Sequence, residues 1–174
     1  QNIEGSAKVA KNHYDLGNDF YQAMLDPYMQ YSCGYFQDTD DLATAQEQKL
    51  DLICRKLHLE KGMKLLDIGC GWGGLARFAA EKYGAEVTGI NISKQQIAFA
   101  QENCRDLPVE IRECDYRRIS GTFDRIISVG MFEHVGPKNY DTNMSVVQHA
   151  LKPDGIALIH SIGRNTSFGG AEPW

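Results

Sequence analysis

The spacing of apolar side chains divides this chain into a helical first third and a longer alternation of strands and helices. Leu50, Ile53, Cys54 and Leu57 recur at i, i+3, i+4 and i+7, behind a Thr44-Ala45-Gln46-Glu47 run that has the form of a capping box. That pattern predicts an amphipathic helix. Upstream, Val9 to Tyr21 reads as two short helical pieces broken at Gly17, with Asn18 or Asp19 placed to cap the second and Pro27 just past its end. Between them, Tyr28 to Phe36 is too aromatic for a solvated loop and reads as a buried lid. From Lys64 the period changes. Strands are predicted at Lys64 to Ile68, Glu86 to Ile90, Val109 to Cys114, Phe123 to Val129 and Gly155 to Ser161. Helices are predicted near Leu75 to Tyr83, Lys94 to Asn103 and Tyr140 to Leu151. Alternation at this spacing predicts an α/β fold with a doubly wound parallel sheet. Residues 1–60 form its helical lid segment and residues 61–174 its core.

One junction in this pattern carries candidate chemistry. The first strand ends in Asp67-Ile68-Gly69-Cys70-Gly71-Trp72-Gly73-Gly74, and a helical stripe of Leu75, Phe78 and Ala79 follows. Glycines allow a sharp turn and a closer ligand approach than any Cβ would permit. The helix start then points free N–H groups at the turn. A dinucleotide site would have Gly-x-Gly-x-x-Gly and an acid about 20 residues on. Here Asp67 stands before the first of three alternating glycines, Gly69, Gly71 and Gly73. A carboxylate there repels pyrophosphate and suits an amino-bearing or cationic ligand such as S-adenosylmethionine. The run resembles the first motif of Rossmann-like class I S-adenosylmethionine-dependent methyltransferases. A nicotinamide-type site and a purely structural turn are the alternatives.

Composition narrows the setting. The 174 residues are 43% hydrophobic, as in an ordinary single globular domain. No apolar run reaches the length of about eighteen that a membrane span needs. Five scattered cysteines without a C-x-x-C pair argue against a zinc ribbon or a secreted disulfide framework, and lead to the expectation of a reducing cytosol. A net charge of −5 offers no general attraction to nucleic acid. No Pro-Pro-Tyr/Phe tetrad is present for a flipped base.

Candidate residues cluster at the strand ends, where open α/β sheets place their ligand crevice. After the second strand, Asn91 or Gln96 can bridge ribose hydroxyls in place of the usual carboxylate, although Asn91 or Ser93 can equally cap the next helix. After the third, Asp115 and Tyr116 suit an adenine amino group and ring; capping and surface roles compete. After the fourth, Glu133 and His134 stand side by side, suited to general-base work or to holding a loop. His160 closes the otherwise apolar fifth strand and reads either as a core histidine or as a catalyst.

Four segments in fixed order make a resemblance specific: Tyr31-Ser32-Cys33-Gly34-Tyr35, Leu66 to Gly74, Met131-Phe132-Glu133-His134-Val135-Gly136, and His160-Ser161-Ile162-Gly163. With His13 to Tyr21 and Gly136 to Tyr140, they make the chain resemble the cyclopropane-fatty-acid synthase family, with similarity running from about Lys11 to Trp174. The resemblance implies methyl transfer from S-adenosylmethionine to the cis alkene of an unsaturated acyl chain in a phospholipid, then proton loss and cyclopropane closure. It implies a bicarbonate base held by Cys33, Glu133, His160 and the backbone of Ile162. It implies cofactor contacts from Tyr31, Ser32, the turn at Asp67, Gly69, Cys70, Gly71 and Gly73, Asn91 and Gln96, and Asp115 with Tyr116. No metal is implied.

Small departures are Asn91, where Thr is usual, and Phe36, where Trp is frequent. Family members carry an N-terminal domain and further C-terminal sequence, including a tyrosine on the bicarbonate. The sheet accordingly reads as cut short of its last strands. The expected setting is cytoplasmic, peripheral to the inner membrane surface, with phospholipid acyl chains as partners and a homodimer of the full-length protein left open. A small-amine N-methyltransferase and a non-catalytic S-adenosylmethionine-binding module are the rival readings.

Overall fold

Residues 17–163 are described by the computed structural model of this chain. The helical piece predicted before Gly17 lies outside them. Helix α1, Asn18–Met24, and helix α2, Leu42–Lys56, precede the sheet. Strands β1 Lys64–Ile68, β2 Glu86–Asn91, β3 Val109–Glu113, β4 Phe123–Val129 and β5 Leu151–His160 are all parallel, in the order β3-β2-β1-β4-β5. Helices α3 Gly74–Tyr83, α4 Lys94–Asn103 and α6 Tyr140–Ala150 make the crossovers, and a single turn, α5 Phe132–Val135, follows β4. The predicted doubly wound sheet is therefore present.

Strand β1 sits at the centre because both its faces are apolar. Leu65, Leu66 and Ile68 are at most 1% exposed, and such burial contributes about 1.5–3 kcal/mol per side chain. Its neighbours β2 and β4 lead to opposite sides of the sheet, so the strand order reverses at β1. The carboxyl ends of β1 and β4 open there into a crevice.

Several local expectations give way to the tertiary structure. Helix α2 begins at Leu42, one turn before the capping box. Asp41 caps it by accepting from the Thr44 N–H at 2.8 Å and the Thr44 hydroxyl at 2.7 Å. A carboxylate that takes both donors supersedes the Thr44 cap. Neither Asn18 nor Asp19 caps α1, whose N-cap is Gly17; the Asn18 side chain accepts instead from Trp72 Nε1 at 3.0 Å. Strand β5 begins at Leu151, four residues before the predicted start at Gly155, and a register shift between Phe123 and Arg125 absorbs the irregularity.

The buried-lid expectation holds only at the start of the segment: Tyr28 and Met29 are buried, whereas Tyr31, Tyr35 and Phe36 are exposed. The buried start is latched to α3. Tyr28 donates its hydroxyl to Glu81 at 3.0 Å and lies 5.3 Å beneath the Arg77 guanidinium. A Cβ at Gly74 would stand 1.7 Å from the Tyr28 carbonyl oxygen. Gly74→Ala is therefore expected to destabilise the protein by roughly 1–3 kcal/mol, since a backbone carbonyl cannot swing aside. Urea unfolding measures it; an unchanged midpoint would mean that the lid does not rest on α3.

Candidate active site

The crevice holds a cavity of about 210 Å³. Its floor is the turn after β1, where Gly69, Gly71 and Gly73 all have positive φ. Two of these glycines serve different ends. A Cβ on Gly71, which lines the cavity, meets nothing within 4 Å, so a side chain there would occupy ligand space. A Cβ on Gly73 would stand 2.8 Å from Ala100 Cβ; Gly73 lets the turn pack on α4 and does not line the cavity. Cys70 lines it from a buried position.

Asp67 supplies the charge. Its side chain lines the cavity at 3% exposure, and Oδ2 is buried without a hydrogen-bond partner. Burial pushes its carboxyl up from 3.8 to about 7. A buried carboxyl oxygen without a partner at a glycine turn could take an ammonium or sulfonium group, whose arrival would favour the ionised form.

The far wall comes from β2 and β3. Asn91 donates from Nδ2 to the Gly71 carbonyl at 3.1 Å and to Gln96 Oε1 at 2.8 Å, while its Oδ1 accepts from Ile92 N–H at 2.7 Å. It thereby ties the end of β2 to the glycine turn and to α4. Ser93 is the N-cap residue of α4 without a side-chain cap bond, so neither it nor Asn91 caps that helix in the ordinary way. Gln96 is 4% exposed and faces the cavity. Asp115 and Tyr116 complete this wall with Arg117. The Arg117 guanidinium pairs with both Asp115 oxygens, at 2.7 and 2.5 Å, and holds that carboxyl below its usual range. It also lies 5.2 Å over the Tyr116 ring.

The near wall is the chain from Met29 to Ser32. Asp26 sets its turn by accepting from Tyr28 N–H at 2.8 Å and Gln30 N–H at 2.7 Å, which leaves Met29 at φ 52. A left-handed methionine costs about 1–3 kcal/mol and is kept only where its surroundings enforce it. Tyr31 and Trp72 both line the cavity and meet edge to face, with ring centroids 6.4 Å apart.

Cys33, Glu133, His160 and Ile162 do not line this cavity; they gather beside it. Cys33 Sγ lies 3.8 Å from His160 Nε2, and Glu133 Oε1 accepts from the Ile162 N–H at 2.6 Å. Two buried atoms in this corner lack hydrogen-bond partners: Glu133 Oε2 and His160 Nδ1. The corner joins the cavity through the backbone, since Ser32 precedes Cys33 and the Gly130 N–H donates to the His160 carbonyl at 3.0 Å. Glu133 and His134 diverge, as neighbours on a helical turn point about 100° apart. His134 faces the cavity and Glu133 the corner.

The family description that matches residues 1–170 is Mycolic acid cyclopropane synthetase. The chain belongs to that family. A member from Escherichia coli strain K12, cyclopropane-fatty-acyl-phospholipid synthase, is 56% identical over 166 residues, covering 95% of this chain and 44% of that protein. The chain therefore spans less than half the length of this relative. The crystal structure of mycolic acid cyclopropane synthase CmaA1 complexed with SAH and CTAB superposes with a TM-score of 0.84 at 38% identity, over 88% of this chain and 55% of that one. Coclaurine N-methyltransferase, bound to N-methylheliamine and SAH, gives 0.77 at 28% identity, over 91% and 49%. The fold is that of the class I methyltransferases, as the family's solved structures have it.

Sequence reasoning missed Arg117, Asp26, and above all Gln46 and Lys49. Burial draws the Lys49 amine down to about 8, against the opposing pull of Asp26 and Cys33. A signal for the last two was present, because both fall on the apolar stripe of α2.

The Asp67 carboxyl makes a test of this geometry. Between its ordinary 3.8 and about 7 the folded chain holds a proton that the unfolded chain has lost. Stability of the ligand-free protein must therefore fall as pH rises through that window. Asp67→Asn removes this dependence. It is expected to gain roughly 4 kcal/mol over the parent at pH 8 relative to pH 4, on about 1.4 kcal/mol per pH unit across a window of about three units. Urea titrations at both pH values measure it, and a difference that does not change with pH would contradict the assignment.

Proposed function

We propose that this chain carries the core of an enzyme that uses S-adenosylmethionine to close a cyclopropane ring across the cis double bond of an unsaturated acyl chain in a phospholipid. The reading rests on one observation: two buried polar atoms without hydrogen-bond partners, Glu133 Oε2 and His160 Nδ1, stand with Cys33 beside a cavity that the unpartnered Asp67 Oδ2 suits to a cationic ligand. The names of the Escherichia coli relative and of the family support the lipid and the ring.

S-adenosylmethionine supplies an electrophilic methyl group on a sulfonium. Asp67 would hold its ammonium, Gly69 and Gly71 its aminocarboxypropyl chain, Asn91 and Gln96 its ribose, and Asp115 with Tyr116 its adenine. Tyr31 and Ser32 would close the near side. The alkene π pair would form the new bond to the methyl carbon as the S–CH₃ bond breaks, its electron pair returning to sulfur and S-adenosylhomocysteine leaving; the acyl chain is left with the positive charge. Loss of one proton from that methyl then closes the ring. No side chain acts as nucleophile. The chain's tasks are to exclude water, to offer the ring faces of Tyr31 and Trp72 to passing positive charge, and to receive a proton.

The receiving corner fits a small anion that has both a proton and acceptor oxygens. Glu133 Oε2 can accept a hydrogen bond, and His160 and Cys33 can donate, so these residues would hold bicarbonate. The Ile162 N–H reaches this corner only through Glu133, whose Oε1 it binds.

Residues 1–60 act in this reading as a lid over a cofactor core spanning 61–174. The full-length protein would work at the cytoplasmic face of the inner membrane, where its phospholipid lies, and a homodimer would be compatible with this reading. None of the helices among the described residues is long and apolar enough to cross a membrane.

The full-length parent, incubated with methyl-labelled S-adenosylmethionine and dispersed phospholipid bearing cis-unsaturated chains, is expected to add one CH₂ per alkene lost, as read by mass analysis of the acyl chains. Depletion of bicarbonate should slow it. Label passing to small amines instead would favour the N-methyltransferase reading, to which the likeness to coclaurine N-methyltransferase lends support. In the same assay, Glu133→Gln should lower turnover by ~10²–10⁴, the range for a lost proton acceptor. Its affinity for S-adenosylhomocysteine should stay near that of the parent. Equal loss of both would remove Glu133 from the proton path.

A further inference from the structure

Two polar residues of α2 stand where its apolar stripe calls for hydrophobic ones. Gln46 is 2% and Lys49 5% exposed, in line with Leu50 and Ile53. Among the described residues, Lys49 is the one buried cation. Burying an amide and an amine is costly unless each finds a partner.

Both reach the same residue. Gln46 Nε2 donates to the Ser32 carbonyl at 2.8 Å, and Lys49 Nζ donates to Ser32 Oγ at 2.8 Å. Next to them on the helix, the Ala45 carbonyl accepts from the Tyr35 N–H at 3.0 Å. Residues 31–35 have no helix or strand of their own, so these bonds from one helix face set their path. That path has two ends. Tyr31 and Ser32 line the cavity, and Cys33, the next residue, meets His160. A shift of Ser32 would move the cavity wall and the thiol together.

We propose that Lys49, assisted by Gln46, is the positioning residue that fixes Ser32 and so registers the cofactor cavity against the corner of Cys33, His160 and Glu133. The inference rests on the reading of that corner as the place of proton removal. Charge supports it: Asp26, which shapes the turn before the segment, and Cys33 within it both lie in electrostatic reach of the amine. Lys49 touches neither lipid nor reacting atoms in this scheme; it acts through Ser32.

The test uses the full-length protein carrying Lys49→Met, which keeps the side-chain length and loses the amine. Its thermal midpoint is expected to stay near that of the parent. Affinity for S-adenosylhomocysteine, measured by calorimetry, should weaken ~5- to 10-fold. Turnover at saturating cofactor and lipid should fall further, by ~10- to 100-fold, the scale on which small misplacements act. Lys49→Gln, which keeps an N–H donor, should recover most of the loss and carries the test if the Met variant does not fold. Adding Ser32→Ala to Lys49→Met should cost little more than either change alone, as expected of residues acting as one unit. Unchanged affinity and turnover, additive losses, or a loss that merely tracks the thermal midpoint would each overturn the proposal. If the parent binds S-adenosylhomocysteine yet leaves lipid unmodified, the functional reading fails. The affinity and additivity of the variants still decide the role of Lys49.

Discussion

A carboxyl oxygen held without a partner near the end of a strand buried from Leu65 to Ile68 is the constraint on which the site depends. Asp67 can be there only because Leu65, Leu66 and Ile68 anchor β1 between two neighbours, with Asp67 itself in register with Gly89 and Ile127. Hydrophobic burial of the strand offsets the desolvation of one charge. The cost has a direction: it favours any ligand that brings positive charge to Oδ2. The glycine turn, the tie from Asn91 to the Gly71 carbonyl and the packing of Gly73 on Ala100 all hold that carboxylate at the edge of an open cavity.

The second half of the site is assembled by different means. No regular element carries Tyr31, Ser32 and Cys33. Their positions come from side chains of α2 below, from Asp26 before them and from the seat of Tyr28 on Gly74. An irregular segment fixed by polar bonds can turn within two residues from one wall to another. A strand or helix, with its set period, could not place Ser32 on a cavity and Cys33 on His160 so economically.

The two halves also differ in chemistry. Around Asp67 the polar groups are arranged to receive a charged, hydroxyl-bearing ligand. Around Glu133 one carboxyl oxygen is fixed by the Ile162 N–H and the other is buried without a hydrogen-bond partner. The proposed alkene alkylation would ask for both: aromatic faces beside a passing cation, and an acceptor buried next to it.

Much of this was legible in the residues themselves. Hydrophobic period alone located the strands and crossover helices, because each must bury one face or both. The alternating glycines after Asp67 marked the turn, since left-handed backbone angles favour glycine. The family resemblance carried by the order of motifs implied that Cys33, Glu133 and His160 belong together. What remained hidden was partnership. Nothing local distinguishes a Thr44 cap from an Asp41 cap, buried Tyr28 from exposed Tyr35, or an Asp115 free for adenine from one already paired with Arg117. Nor could the stripe of α2 say what Gln46 and Lys49 reach. Cys33 and His160 lie 127 residues apart in the chain, and only the strand order, with β5 beside β4 and the lid wrapped over α2, brings them together. Local sequence determined backbone angles and buried faces. The tertiary structure decided which polar groups face each other, because that depends on crossovers no short window contains.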